Sequence, residues 1–154
     1  DLLSPRDVAW LEHSVSACAP DLLVLGPLYK LHHRDPSDEP SAREVAWVLD
    51  GLRERHGFAL LTEAHAGKGK EMDTGKRLMA PIGSSMWLRW PEFGFGLRRA
   101  DTDPGRGRAE VGDVVPWRWA REERAWPSRL NMAHTLPWIP DGEYFDTMND
   151  YHEE

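Results

Sequence analysis

The sequence predicts an α/β fold built on a short parallel sheet, with antiparallel strands added at its edge. Three observations predict it. Two unbroken apolar runs, Leu22-Leu23-Val24-Leu25 and Phe58-Ala59-Leu60-Leu61-Thr62, flank one strongly periodic helical segment. Strand, helix and strand with short links make a βαβ unit, whose two strands run parallel. Further along, Met86–Trp90, Phe93–Arg98 and Val111–Trp119 are strand-like and are split by Pro91 and by a turn over 101–108.

Length and composition set the frame for these elements. The chain has 154 residues, about one domain's worth, with 40% hydrophobic and 29% charged residues. That is the mix of a packed globular chain, not of a disordered one. No stretch approaches the roughly 18 apolar residues of a membrane span. No basic n-region followed by an apolar segment opens the chain, so no secretory leader is expected. The single cysteine, Cys18, excludes an internal disulfide and a cysteine-rich zinc site, which fits a reducing, cytoplasmic setting. The chain opens at Asp1 without Met, which predicts a trimmed product or a piece of something longer.

The first element is a helix. Ser4 is its expected N-cap, Pro5 sits in the first turn, and Asp7 lies near the positive end of the helix dipole. Val8, Leu11, Val15 and Cys18 recur at helical spacing until Pro20. The run Leu22–Leu25 follows and ends at Gly26-Pro27. Its continuous apolarity predicts a strand covered on both faces. A polar loop from His32 to Pro40 then turns at Asp35-Pro36-Ser37-Asp38.

Ser41-Ala42-Arg43-Glu44 reads as a capping box for a second helix. Its buried stripe is Ala42, Val45, Ala46, Leu49 and Leu52, and Gly57 takes the C′ position. Phe58–Thr62 is the second parallel strand. Glycines and charges fill 66–77. Six of the eight Trp lie between Trp87 and Trp138. Residues 65–108 carry a net charge of +4 within a chain of net −7, whereas 139–154 carry −6 and no basic residue. One domain over 1–138 with a poorly ordered acidic tail over 139–154 is the expected organisation.

Ligands of open parallel sheets sit at the carboxyl ends of the strands. Gly26-Pro27 and Glu63-Ala64-His65 therefore share one edge. A Glu-x-His directly after an apolar strand suits an acid, base or sensor pair, or it simply leaves the sheet into solvent. The stretch from Ala64 to Lys70 is rich in Gly and Lys and could cradle an anion, or form a surface loop. Neither Gly-x4-Gly-Lys-Ser/Thr nor a Gly-x-Gly-x-x-Gly opening a helix occurs, and Ser84-Ser85 lacks a nucleophile elbow. No His or Glu spacing favours a metal held by protein ligands. Trp with interleaved Arg, as in Trp87-Leu88-Arg89-Trp90 and Trp117-Arg118-Trp119-Ala120-Arg121, suits either base stacking or core rings covered by Arg stems.

In order and spacing, four stretches resemble the second half of a RecA-like P-loop ATPase. Pro20–Leu31 is similar to a Walker B strand and its loop. Gly57–His65 resembles the next strand with its polar sensor. Pro81-Ile82-Gly83-Ser84-Ser85-Met86 resembles a Gly-Ser block, and Arg89-Trp90 an Arg-Trp at a subunit boundary. Within that class the chain looks most like hexameric replicative helicases of the RepA and DnaB type from phage and actinobacteria.

The resemblance covers roughly residues 2–138. It implies a three-layer sheet with a parallel core and antiparallel edges, missing the Walker A strand, loop and helix, which would lie upstream of Asp1. It implies His65 as γ-phosphate sensor, Glu63 positioning water or metal, and Arg89 acting across a subunit boundary. Gly26, Lys68, Ser84 and Ser85 would line the nucleotide phosphates, and Lys68 and Lys70 would contact single-stranded DNA weakly. ATP and Mg2+ are the implied cofactors, with a homo-oligomer and a P-loop-bearing half or neighbouring subunit as partners. The pattern departs where Leu25-Gly26-Pro27 replaces Leu-Asp-Pro. That departure leaves a second expectation open, a catalytically inert RecA-like interaction or assembly module.

Overall fold

The computed structural model describes residues 1–100, 111–118, 127–132 and 139–140. They fall into two compact units, Asp1–Lys68 with Ala80–Pro91, and Gly69–Met79 with the described residues from Glu92 onward. The fold is mixed α/β, with one parallel and one antiparallel sheet.

The first unit opens with helix α1, Pro5–Cys18. The Ser4 hydroxyl accepts from the Asp7 amide, as a helix start without earlier carbonyl partners requires. The helix ends where Ala19 turns left-handed and its amide returns to the Val15 carbonyl at 2.8 Å. Of the expected apolar stripe, Val15 is buried but Cys18 is exposed, because the last turn runs past the core it packs on.

Strand β1, Leu22–Leu25, pairs in parallel with β2, Ala59–Thr62, in the register Leu22↔Ala59 to Leu25↔Thr62. Between them lie a 3-10 turn, Leu28–Lys30, and helix α2, Glu39–His56. The helix starts earlier than its capping-box sequence suggests. Asp38 is the N-cap and accepts from the Ser41 amide, so Pro40 falls in the first turn, where a missing N–H costs nothing. Those hydrogen bonds from Ser41, side chain and backbone, hold the Asp38 carboxyl below the usual carboxylate range. Gly57 closes α2 in the left-handed conformation, its amide on the Arg53 carbonyl.

The stripe read from the sequence is the core. Ala42, Val45, Ala46, Leu49 and Leu52 are all fully buried. Leu2, Leu28 and Trp87 complete one cluster with the first four of them, and Val15, Leu52 and Phe58 form a second. Leu23, Leu25 and Leu60 pack inward on these clusters. The opposite sheet face does not, since Leu22, Val24 and Leu61 are more than half exposed. The sheet is thus covered on one face only among the described residues, not on both as its continuous apolarity suggests.

Residues 80–91 close this unit. The Ile82 amide donates to the His65 carbonyl at 2.7 Å, beside an isolated antiparallel bridge between Ala66 and Pro81. Met86–Arg89 is a single helical turn, α3, not a strand. Five residues are too few for periodicity to separate the two states, and here the Ser84 hydroxyl, accepting from the Met86 amide, starts a turn. The turn drives Trp87 fully into the core, edge-on to Trp90 at 5.8 Å. Trp90 Nε1 donates to Asp50 on α2 at 2.9 Å.

In the second unit, β3 (Gly94–Arg99), β4 (Val111–Arg118), β5 (Arg129–Asn131) and β6 (Ile139–Pro140) form an antiparallel sheet in that order. These strands were expected at the edge of the parallel sheet; instead they pair with one another and build a sheet of their own. Arg98 donates to Glu71 at 2.9 Å, and Arg129 reaches Asp113 at 3.4 Å. The remainder of the expected acidic tail, 141–154, lies outside the described residues, as do Trp119, Arg121 and the 101–108 turn. Trp87 fills the space between α2 and the closing segment, so Trp87→Ala should cost about 3–5 kcal/mol. Chemical denaturation measures it, and a loss below about 1 kcal/mol would contradict this packing.

Candidate functional site

The carboxyl ends of β1 and β2 place five side chains or backbone groups together. Strand pairing continues past both strands: the Glu63 amide donates to the Leu25 carbonyl at 3.1 Å, and the Leu28 amide to the Glu63 carbonyl at 2.9 Å. This zipper lays the Gly26-Pro27 corner directly against Glu63. A Cβ on Gly26 would lie 2.7 Å from Glu63 Cβ and 2.9 Å from its backbone nitrogen. Position 26 therefore accepts no side chain in this backbone, and the carboxylate at this edge is supplied by the neighbouring strand.

Glu63 and His65 form a pair. His65 Nε2 donates to Glu63 Oε1 at 2.8 Å, and both side chains are about half exposed or more. A ring nitrogen fixed on a carboxylate has its orientation set, which leaves the opposite nitrogen to face a ligand. Tyr29, in the 3-10 turn after β1, lies with its ring 5.4 Å from the His65 ring. Lys30 Nζ stands 5.8 Å from the Tyr29 ring centre. Tyr29 and Lys30 were not singled out by sequence reasoning. Their signal was their place, two and three residues past Pro27 on the strand's ligand side. The edge thus offers a carboxylate, an oriented imidazole, an ammonium and an aromatic face, a set suited to holding an anionic, partly aromatic ligand.

The other sequence-predicted residues are placed elsewhere in the two units. The Ser84 amide donates to the Pro36 carbonyl at 2.9 Å, and Ser84 is buried. Gly83 packs so closely on Pro36 that a Cβ would meet its carbonyl oxygen at 2.5 Å, at a φ of +107° that favours glycine. The Gly-Ser block thus latches onto the loop before α2. Ser85 is exposed and its hydroxyl accepts from Arg89 at 3.2 Å. Arg89 also pairs with Glu39, fifty residues upstream in the first turn of α2, at 3.1 Å. Lys68 and Lys70 are exposed, Lys70 in an isolated bridge with Arg77.

The implied Mg2+ does not fit this chain's own residues. Position 26 has no room for a carboxylate, Glu63 is engaged by His65, and no cluster of three or more His, Cys, Asp or Glu among the described residues is placed to hold a metal ion. Likewise no helix of the described residues is long and apolar enough to cross a membrane. The close approach at Gly26 is testable. Gly26→Ala should destabilise the chain by about 1–3 kcal/mol through overpacking, read as a midpoint shift in urea. An unchanged midpoint would refute the contact.

Against known proteins, a family model described as an AAA domain matches residues 1–71. No curated protein and no solved structure matches the chain. The matched stretch holds α1, β1, α2 and β2 with Gly26, Tyr29, Glu63 and His65, and ends before Ser84, Ser85 and Arg89. The likeness is to an AAA, P-loop-ATPase-like module, and it falls on the parallel strands and the ligand edge they carry.

Proposed function

We propose that the chain is part of a RecA-like, nucleotide-dependent ATPase of a DNA helicase or related DNA-replication protein, and that its P-loop comes from a partner half or a neighbouring subunit. The observation that carries this reading is the Glu63–His65 pair. It stands at the carboxyl edge of a parallel βαβ unit, inside the stretch that matches an AAA domain. On this reading His65 is the phosphate sensor, held in orientation by Glu63, and Lys30, over the Tyr29 ring, adds positive charge at the same edge. Glu63 also orients a water. Arg89 reaches a neighbouring subunit's nucleotide after leaving Glu39, and its planar fork suits phosphate oxygens.

The half-covered sheet supports the partner. Leu22, Val24 and Leu61 form an apolar face of the kind that parallel sheets bury. A P-loop-bearing half that extends the sheet and covers this face would complete the three-layer arrangement of the resemblance. ATP and Mg2+ then reach the edge as ligands of the partner's phosphate loop. A homo-oligomer in the cytoplasm is the expected assembly.

One observation favours the second reading, a catalytically inert interaction or assembly module. The corner at Gly26 excludes the carboxylate that ends a Walker B strand. Both readings agree on the isolated chain and part on the assembly, where only the first predicts that His65→Ala removes hydrolysis.

Two outcomes are expected. Residues 1–154 alone should show no ATP turnover, because the sequence has no Gly-x4-Gly-Lys-Ser/Thr loop to hold the triphosphate. Steady hydrolysis above a no-enzyme control, abolished by His65→Ala, would overturn this. Single-stranded DNA should bind weakly and with steep salt dependence. Replacing Lys68 and Lys70 with Ala should flatten the log–log salt slope by about 1.4. A slope that the double substitution leaves unchanged would remove these two lysines from the interface.

A further inference from the structure

The loop joining the ligand edge to α2 contains a buried imidazole that the proposed activity does not use. His32 is 5% exposed, and among the described residues neither Nδ1 nor Nε2 has a hydrogen-bond partner. A neutral imidazole tolerates that seat at the cost of unmade hydrogen bonds. An imidazolium does not, since it carries two N–H donors and a full charge away from water.

The surroundings decide whether a neighbour could stabilise that charge. The charged groups acting on His32 are Asp38, which favours protonation, and His33 and Arg34, which oppose it. Asp38 is committed to capping α2 through the Ser41 amide and hydroxyl. Arg34 reaches the Ser41 hydroxyl at 3.3 Å, and His33 is held by the Asp1 carboxylate. Burial is the largest influence, and it pushes the His32 imidazole below its ordinary value.

The loop around His32 is tied at both ends. The Leu2 amide donates to the Leu31 carbonyl at 2.7 Å, and the Pro36 carbonyl accepts from Ser84. Tyr29 and Lys30 stand immediately before it and the Asp38 cap immediately after. Opening this loop therefore frees the closing segment at Ser84 and loosens the ligand edge at Tyr29.

We propose that His32 is a pH-sensitive pin: it seats in the fold only as a neutral imidazole, and its protonation releases the loop 31–38 with the Pro36–Ser84 latch. The sign follows from linkage. The open state binds the proton more readily than the closed one, so closing is favoured above the ordinary imidazole value and weakens as pH falls below it. Loosening of the Tyr29–His65 edge is a second consequence, and it alone rests on reading that edge as the working site.

The test uses the intact chain without nucleotide, so failure of the ATPase reading leaves it untouched. Amide hydrogen exchange over 31–41 and 83–89 is compared from pH 7.5 to pH 5.5, corrected for intrinsic rates. Below about pH 6.5 the opening of these segments should rise by up to about tenfold per pH unit in the wild-type chain. The rise should vanish in His32→Phe and persist in His33→Ala. In parallel, the wild-type His32 ring is titrated by NMR, which needs no variant to fold. A His32 ring titrating at or above the ordinary histidine value would overturn the proposal, as would an equal rise in His32→Phe.

Discussion

Everything in the first unit depends on one face of one helix. The α2 stripe from Ala42 to Leu52 has no solvent exposure, and every other part of the unit is placed by what it buries there. Leu25 and Leu60 bring the sheet to it, Leu11 and Val15 bring α1, and Trp87 brings the closing segment. Fully burying side chains of this size contributes about 1.5–3 kcal/mol each, which no surface ion pair of the unit approaches. The pairs Arg43–Glu39, Arg55–Glu12 and Arg89–Glu39 are exposed and trim the edges of that packing. The ligand edge inherits its geometry from the same source: the helix fixes where β1 and β2 end, and thus where Glu63 meets Gly26.

The parts of this fold that the sequence made legible are those governed by local pattern. The α2 stripe has a 3.6-residue period over eleven positions, and all five predicted residues are buried. Ser4, Gly57 and the parallel register follow from capping chemistry and βαβ logic. The failures have a common cause, because each needed knowledge of a distant contact. Met86–Arg89 is helical because Ser84 is anchored on Pro36, a partner 48 residues away. Cys18 is exposed because the core stops one turn short of it. Leu22 and Val24 are apolar yet uncovered, since burial of a sheet face depends on what lies above it and not on the strand.

The candidate site was half legible for the same reason. Glu63 and His65 were candidates from sequence because they follow an apolar strand directly, and the fold pairs them. Tyr29 was marked only by its place after β1, since only the fold sets its ring beside His65 across 36 residues of chain. Ser84 was expected to line the nucleotide phosphates on the strength of its Gly-Ser block, and in the fold Gly83 and Ser84 pack on Pro36. Small residues suit close approach to a phosphate and close approach to a backbone carbonyl equally well, and composition alone does not distinguish the two.

The closing segment has a consequence for how the chain is made. The stretch that matches an AAA domain ends at residue 71, whereas the core it builds is completed by Trp87 and Trp90. A nascent chain emerging in order from its N-terminus forms α1 and α2 from local contacts, then pairs β1 with β2. Throughout that time the stripe on α2 lacks its largest cover. A chain in that condition exposes apolar surface of the kind that aggregates or recruits chaperones. The contacts that end this exposure span 40 to 50 residues, as in Trp90 to Asp50 and Arg89 to Glu39, and such long-range closures are slow relative to helix formation. Synthesis through Pro91 is therefore the point at which the α2 stripe gains its full cover. The family-matched stretch is a unit of resemblance, and the unit of folding is longer.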